Sequence, residues 1–121
     1  MAKKALGIVE KVRVIGRGEE EVRAIVDTGA KLNSIDIGLA RRIGLGKPIR
    51  TMRVKNPSLK GSIRRPVVRV RIELKGRIFK TEANLQDRSH MKFPVIIGRN
   101  LLIGNFVVDP EMGKEAVARG Q

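Results

Sequence analysis

Cysteine, tryptophan and tyrosine are absent from this 121-residue chain, and histidine occurs once, as His90. Without cysteine there is no disulfide framework and no thiolate metal site, a composition compatible with a reducing compartment. A zinc site would have to be assembled from His90 and carboxylates, and no H-E-x-x-H pair begins one, so neither a metal nor a cofactor is expected. Three phenylalanines are the whole aromatic content, which leaves almost no stacking platform for single-stranded nucleic acid. No apolar run approaches the ~20 residues of a membrane span, and the charged residues 1–6 lead into no apolar signal core. The expectation is a soluble, cytoplasmic protein with no membrane association. Acidic residues are scarce too: 12 Asp and Glu stand against 26 Lys and Arg, a formal charge of +14. Such an excess attracts polyanions, whether nucleic acid or an acidic peptide.

What is present supports one folded domain over 1–121, since 41% of the residues are apolar. Its core is expected at about 7–110, with a polar, frayed tail at 111–121. Val12 and Val14 alternate with charged neighbours in a first strand over 7–15, and Gly16-Arg17-Gly18 turns the chain. A second strand climbs from about Glu21 to Val26, and a short one follows near Leu32 to Ile35. Asp36 reads as a helix N-cap, with Ile37, Ala40 and Ile43 on one face and Gly44 as the stop. Residues 46–66 are basic and broken by Gly and Pro; a mobile hairpin over a site and a solvated loop fit equally. From Pro66 to Leu74 and from Phe79 to Leu85 two alternating strands flank Lys75-Gly76. Phe93 to Gly98 is a short apolar strand, Arg99 to Ile103 a helical turn, and Phe106 to Val108 a last strand. Many short strands with one or two short helices make a mainly β, all-β-class domain.

One stretch carries chemistry. Ile25-Val26-Asp27-Thr28-Gly29-Ala30 runs an apolar strand end into a carboxylate, a hydroxyl and two small residues. A carboxylate beside a buried strand must be hydrogen-bonded, shifted in pKa or hydrated. Gly29 and Ala30 leave the backbone bare, so another chain can approach, and Gly29 is free to take positive φ. Read by itself, the motif is either half of a catalytic carboxylate pair or an Asx-turn that stabilises only itself.

A second motif stands about seventy residues on: Val95-Ile96-Ile97-Gly98-Arg99-Asn100-Leu101-Leu102. The two together resemble the retropepsin-like aspartic peptidases. The segment from Arg88-Ser89-His90-Met91-Lys92-Phe93-Pro94 to Asp109-Pro110, with Arg65-Pro66-Val67, looks closer still to a branch often labelled "ATP-dependent zinc protease". The resemblance runs from about Ile8 to Pro110. It implies a closed β-barrel that works as a two-fold homodimer, with the strand ending at Gly98 crossing behind the Asp27 loop and the next helical turn packed beneath. By the same resemblance Asp27 is the catalytic aspartate, Thr28 a hydroxyl reaching across the dimer and Gly29 the bare backbone beside the site. Ala30, Arg64 and Arg65 then border the substrate, and Ile97, Gly98 and Arg99 support the dimer. Retroviral members pair the arginine matched by Arg99 with an acid just after D-T-G-A. Here that position is Lys31, so Arg99 must use Asp36, Asp87 or a backbone carbonyl. No metal-ligand cluster and no G-x-x-x-x-G-K-[ST] loop accompanies the branch's label, and neither zinc nor ATP is carried over. The branch also implies association with ATP-grasp ligases that add glutamate chains, the peptidase trimming them.

Amide hydrolysis by aspartates needs two carboxylates close enough to share a proton. This chain has one D-T-G, and a two-fold dimer supplies the second from an identical copy. The substrate expected is then a peptide, acidic or glutamate-rich. The rivals are a non-catalytic dimer binding an acidic protein or nucleic acid through its basic surface, and a purely structural domain.

Overall fold

The computed structural model describes residues 2–55 and 61–118. Among the described residues nine strands and three short helices follow one another. β1 is Lys4–Leu6, β2 Val9–Ile15, β3 Glu19–Val26 and β4 Asn33–Asp36, before helix α1 at Ile37–Arg42. Next come β5 (Arg50–Lys55), β6 (Ser62–Leu74), β7 (Arg77–Gln86), β8 (Val95–Ile97), α2 (Arg99–Leu102), β9 (Phe106–Val108) and α3 (Lys114–Ala118). The chain is mainly β. β2, β3, β8, β4, β7 and β6 are hydrogen-bonded in that order, and β6 returns to β2 to close the ring. Closure leaves these strands no free edge, and it runs through Arg13↔Glu73, Val14↔Ile72 and Ile15↔Arg71.

Alternation decides the core. Val12 and Val14 from β2, Val70, Ile72 and Leu74 from β6, and Val95 and Ile97 from β8 are all buried together. Their charged neighbours Arg69 and Arg71 point to solvent. β2 and β3 pair from Ile15↔Glu19 at the hairpin tip to Val9↔Ile25, so Asp27 emerges at the end opposite the turn. Lys75 (φ 52°) and Gly76 (φ 77°) make the two-residue connection between β6 and β7. Both central residues there are left-handed, the geometry that matches the twist of a tight hairpin.

Asp36 caps α1, its Oδ2 accepting from Leu39 N at 3.2 Å. At the other end Gly44 is left-handed (φ 67°), and the N–H groups of Gly44 and Leu45 reach the Arg41 and Ala40 carbonyls. Residues 46–66, open between loop and hairpin in the sequence, hold a hairpin: β5 pairs with the first half of β6 from Arg50↔Val67 to Lys55↔Ser62. β6 therefore starts at Ser62, earlier than the alternation after Pro66 indicates. Pro57 and Lys60 lie outside the described residues.

Two expectations are corrected at the chain's ends. Leu6 is fully buried in β1, which pairs in parallel with β9, so the core begins before residue 7. The segment after Pro110 is not simply frayed: the Met112 carbonyl accepts from Ile8 N at 2.9 Å, and α3 follows at Lys114–Ala118. A Cβ on Gly7 would stand 2.5 Å from the Met112 oxygen, so glycine is what lets these two segments meet. Residues 119–121 lie outside the described residues.

Asp36 also accepts from the buried Arg88 N at 2.8 Å. Asp36→Ala removes a cap worth about 1 kcal/mol and orphans a buried N–H at roughly 1–3 kcal/mol. Denaturant unfolding is expected to show a loss of about 2–4 kcal/mol, and a loss below about 0.5 kcal/mol would deny Asp36 this double role.

Candidate active site

Asp27 follows β3 directly, and its N–H donates to the Ile97 carbonyl at 2.9 Å. β8 lies beside β3 in parallel, Val26 opposite Ile97, so the barrel wall ends where the loop begins. The loop folds tightly, Ala30 N donating to Asp27 O at 3.2 Å and Gly29 N to Asp27 Oδ1 at 2.8 Å. The Asx-turn is thus real, but it uses one carboxylate oxygen. Oδ2 accepts nothing among the described residues, and Asp27, Thr28 and Gly29 are all exposed. Gly29 stays out of the left-handed region. Its contribution is the missing Cβ, which would stand 3.2 Å from Asp27 Oδ1.

Support comes from behind. Gly98 N donates to Asn33 Oδ1 at 2.9 Å, and Asn33 Nδ2 donates to Thr81 Oγ1 and the Glu82 carbonyl. Asn100 mirrors it, accepting from Asn33 N through Oδ1 and donating to the same two oxygens. Arg99 N donates to Ala30 O at 2.8 Å and Arg99 Nη1 to Thr28 O at 3.1 Å. Of the partners open to it, Arg99 takes a backbone carbonyl of the Asp27 loop. The arginine therefore braces the loop from within its own chain.

The other described aspartates lie outside this braced loop. Asp36 is buried and binds two backbone N–H groups with its two oxygens. Asp87 accepts from the Ser89 hydroxyl and N–H, which together hold its carboxyl below the usual range. Asp109 accepts from Glu111 N. Nor do the donors fit a zinc ion: among the described residues no three His, Asp, Glu or Cys side chains come together.

Arg64 and Arg65 are neighbours on β6 and project to opposite faces of the hairpin. Arg64 lies opposite Arg53 and donates to Thr51 Oγ1 at 3.3 Å, whereas Arg65 lies opposite Met52. The charge of Arg65 acts on a residue outside the site expected from the motifs. That residue is Arg88, buried in the loop between β7 and β8. Burial pulls its guanidinium below arginine's usual range; Asp36 opposes this, Arg65 reinforces it and Asp27 opposes it. Asn33 was missed as well. Its only signal is an amide inside a short apolar strand, between Leu32 and Ile35.

The model of the RimB-like family, described as the retropepsin-like aspartic endopeptidase RimB, matches residues 45–118. This is more than half of the chain. The chain belongs to this family. The matched span carries β8, α2 and Arg99 and begins after Asp27, so the Asp27 loop enters through the fold that seats it. No curated protein sequence matches the chain. Among solved structures, a Legionella pneumophila protein of unknown function is 22% identical with a TM-score of 0.63, covering 92% of this chain and 96% of its own. Simian foamy virus protease (17% identity, TM-score 0.56) covers 74% of this chain and 86% of its own. EIAV protease in complex with an inhibitor (21%, TM-score 0.55) covers 78% and 83%. These likenesses carry the retropepsin-like fold.

Gly98 is the tightest point of the site: an added Cβ would stand 2.5 Å from the Leu32 oxygen and 3.0 Å from the Ala30 oxygen. Both obstacles are backbone. Gly98→Ala is expected to cost about 1–3 kcal/mol or more and to displace the Asp27 loop, read by denaturant unfolding and amide NMR shifts at residues 27–30. Arg17→Ala, an exposed turn position, is the control and should cost under about 0.5 kcal/mol. Equal effects would refute the special closeness at Gly98.

Proposed function

We propose that the protein is an aspartic endopeptidase working as a homodimer, with Asp27 from each subunit forming the catalytic pair. The observation that carries this reading is the uncommitted Asp27 Oδ2, held at the end of β3 on an exposed, braced loop. One chain offers a single carboxylate on that braced loop: Asp36 has both oxygens on backbone N–H groups, and Asp87 and Asp109, which like Asp27 accept through Oδ1 alone, lie outside it. A two-fold axis beside the loop brings in its copy.

In the pair one carboxylate is ionised and the other protonated, because crowding forbids two charges. The ionised member takes a proton from water as the oxygen attacks the scissile carbonyl carbon. The protonated member donates to the carbonyl oxygen, giving a neutral tetrahedral gem-diol. Its collapse breaks the C–N bond, with a proton passing to the leaving amine. Exposed Thr28, whose hydroxyl bonds nothing among the described residues, is free to meet the facing loop. The β5–β6 hairpin projects from the ring with most side chains exposed, which suits a cover that closes on a substrate.

The substrate class that fits is an acidic chain, glutamate-rich as in the ligase-associated branch. A charge of +14 favours it, and Lys47, Arg53, Lys55, Arg64 and Arg65 lie on or beside the hairpin. A non-catalytic binder is the rival reading, and Asp27 separates the two.

Asp27→Asn is nearly isosteric and removes carboxylate repulsion. Peptide hydrolysis is expected to fall at least ~10³-fold while sedimentation velocity still finds a folded dimer. Substantial turnover by the purified variant, or a wild-type protein that is monomeric while active, would sink the proposal. For a glutamate-rich peptide, kcat/KM should fall steeply as salt approaches ~1 M, where the screening length is roughly 3 Å. A neutral peptide should change little; parallel behaviour of the two would remove the electrostatic argument for an acidic substrate.

A further inference from the structure

Arg88 is only 7% exposed and is anchored at both ends. Its N–H is held by Asp36 Oδ1 at 2.8 Å, and its Nε donates to the Phe93 carbonyl at 2.9 Å. Among the described residues, Nη1 and Nη2 donate to nothing, and no carboxylate lies within ion-pair distance. Those nitrogens are not sealed in the core either, because the one fully buried side-chain polar atom without a partner there is Arg13 Nε. The terminal edge of the guanidinium therefore keeps some contact with solvent.

So deeply placed a charge is normally paired, since desolvation is costly and a planar fork recovers it best through two parallel bonds to a carboxylate. Arg42, more exposed, has such a partner in Glu20, and Arg13 and Arg50, also more exposed, have carboxylate partners in Glu19 and Glu73 and in Glu82. Of the two acids whose charge acts on Arg88, Asp36 has both oxygens on backbone N–H groups. The other, Asp27, is the catalytic group. Neither acid among the described residues completes the fork, which leaves its terminal nitrogens for a group from outside the chain. Accepting Asp27 as the catalytic carboxylate, we propose that Arg88 is a specificity-determining residue whose open guanidinium edge receives a substrate carboxylate beside the scissile bond. General attraction by the basic surface concentrates acidic chains; Arg88 places one carboxylate.

The test compares peptides with Glu or Gln flanking the cleaved bond, both ends blocked, at ~0.5 M salt to suppress long-range steering. A second pair, Gln peptides with a free or amidated C-terminus, distinguishes a terminal carboxylate from a side-chain one. For one of the two pairs, wild-type kcat/KM is expected to favour the carboxylate by roughly 10- to 100-fold. Arg88→Met should bring that ratio near one. Arg88→Lys, which keeps the charge but not the fork, should lower it several-fold and serves where the methionine variant does not fold. A wild-type ratio of one in both pairs, or a full preference retained in either folded variant, overturns the proposal. Calorimetric binding of the same peptides to Asp27→Asn protein, with and without the Arg88 substitution, reads the site without turnover. A carboxylate preference there that disappears with Arg88 supports the assignment even if the wild type hydrolyses nothing, an outcome that would defeat the catalytic reading alone.

Discussion

The Asp27 loop hangs on β8, a strand of three residues hydrogen-bonded to β3 on one side and β4 on the other. Such a strand has little stability of its own, and its position is set by being caught between two longer neighbours. The consequence reaches the loop through three consecutive residues. The Ile97 carbonyl takes Asp27 N, Gly98 N takes Asn33 Oδ1, and Arg99 N binds Ala30 O. Only a glycine at 98 lets the Leu32 and Ala30 carbonyls come so near. The loop is therefore exposed yet fixed. The proposed pairing of Asp27 with its copy would need this combination, because reorganising a mobile loop would spend what the pairing gains.

The distribution of carboxylates follows from the same economy of positions. Where an aspartate can reach two backbone N–H groups it becomes structural, as Asp36 does between α1 and the loop before β8. Asp27 reaches only Gly29 N, because the chain turns away and the residues after it are too small to cover its other oxygen. The absence of cover is what distinguishes it from Asp36, not its charge or its sequence neighbours alone.

Alternation and capping were legible: Val12/Val14, Val70/Ile72/Leu74 and the Asp36 cap could be read directly, because period and cap chemistry are local. The β5–β6 hairpin was not, since its strands alternate only weakly and Pro66 sits inside β6, opposite Thr51 near the end of the pairing. β1 and α3 are too short for a period to register, and they exist through partners distant in sequence, β9 and the Ile8–Met112 contact. At the site, Asp27, Gly98 and Arg99 were singled out by the resemblance their two motifs carry, and the fold brings those motifs together through the Asp27–Ile97 and Arg99–Ala30 hydrogen bonds. Arg88 escaped for a general reason. A basic residue in a basic chain reads as solvated surface, and only its burial separates it from the other arginines.

Charge then becomes the restraint on the whole assembly. Two copies at +14 repel, and the like-charged Arg53 and Arg64 face each other directly on the hairpin. Arg13 escapes this through Glu19 and Glu73 where the ring closes, and Arg50, at the base of the hairpin, through Glu82. Arg53, Arg64 and Arg88 have no carboxylate partner among the described residues. An acidic chain lying between two such subunits would lower the repulsion at the hairpins and complete the unpaired guanidiniums at the same time. In the proposed dimer, substrate binding and dimerisation would be coupled in sign: an acidic ligand would stabilise the paired state, and the pair would present twice the positive field of one subunit.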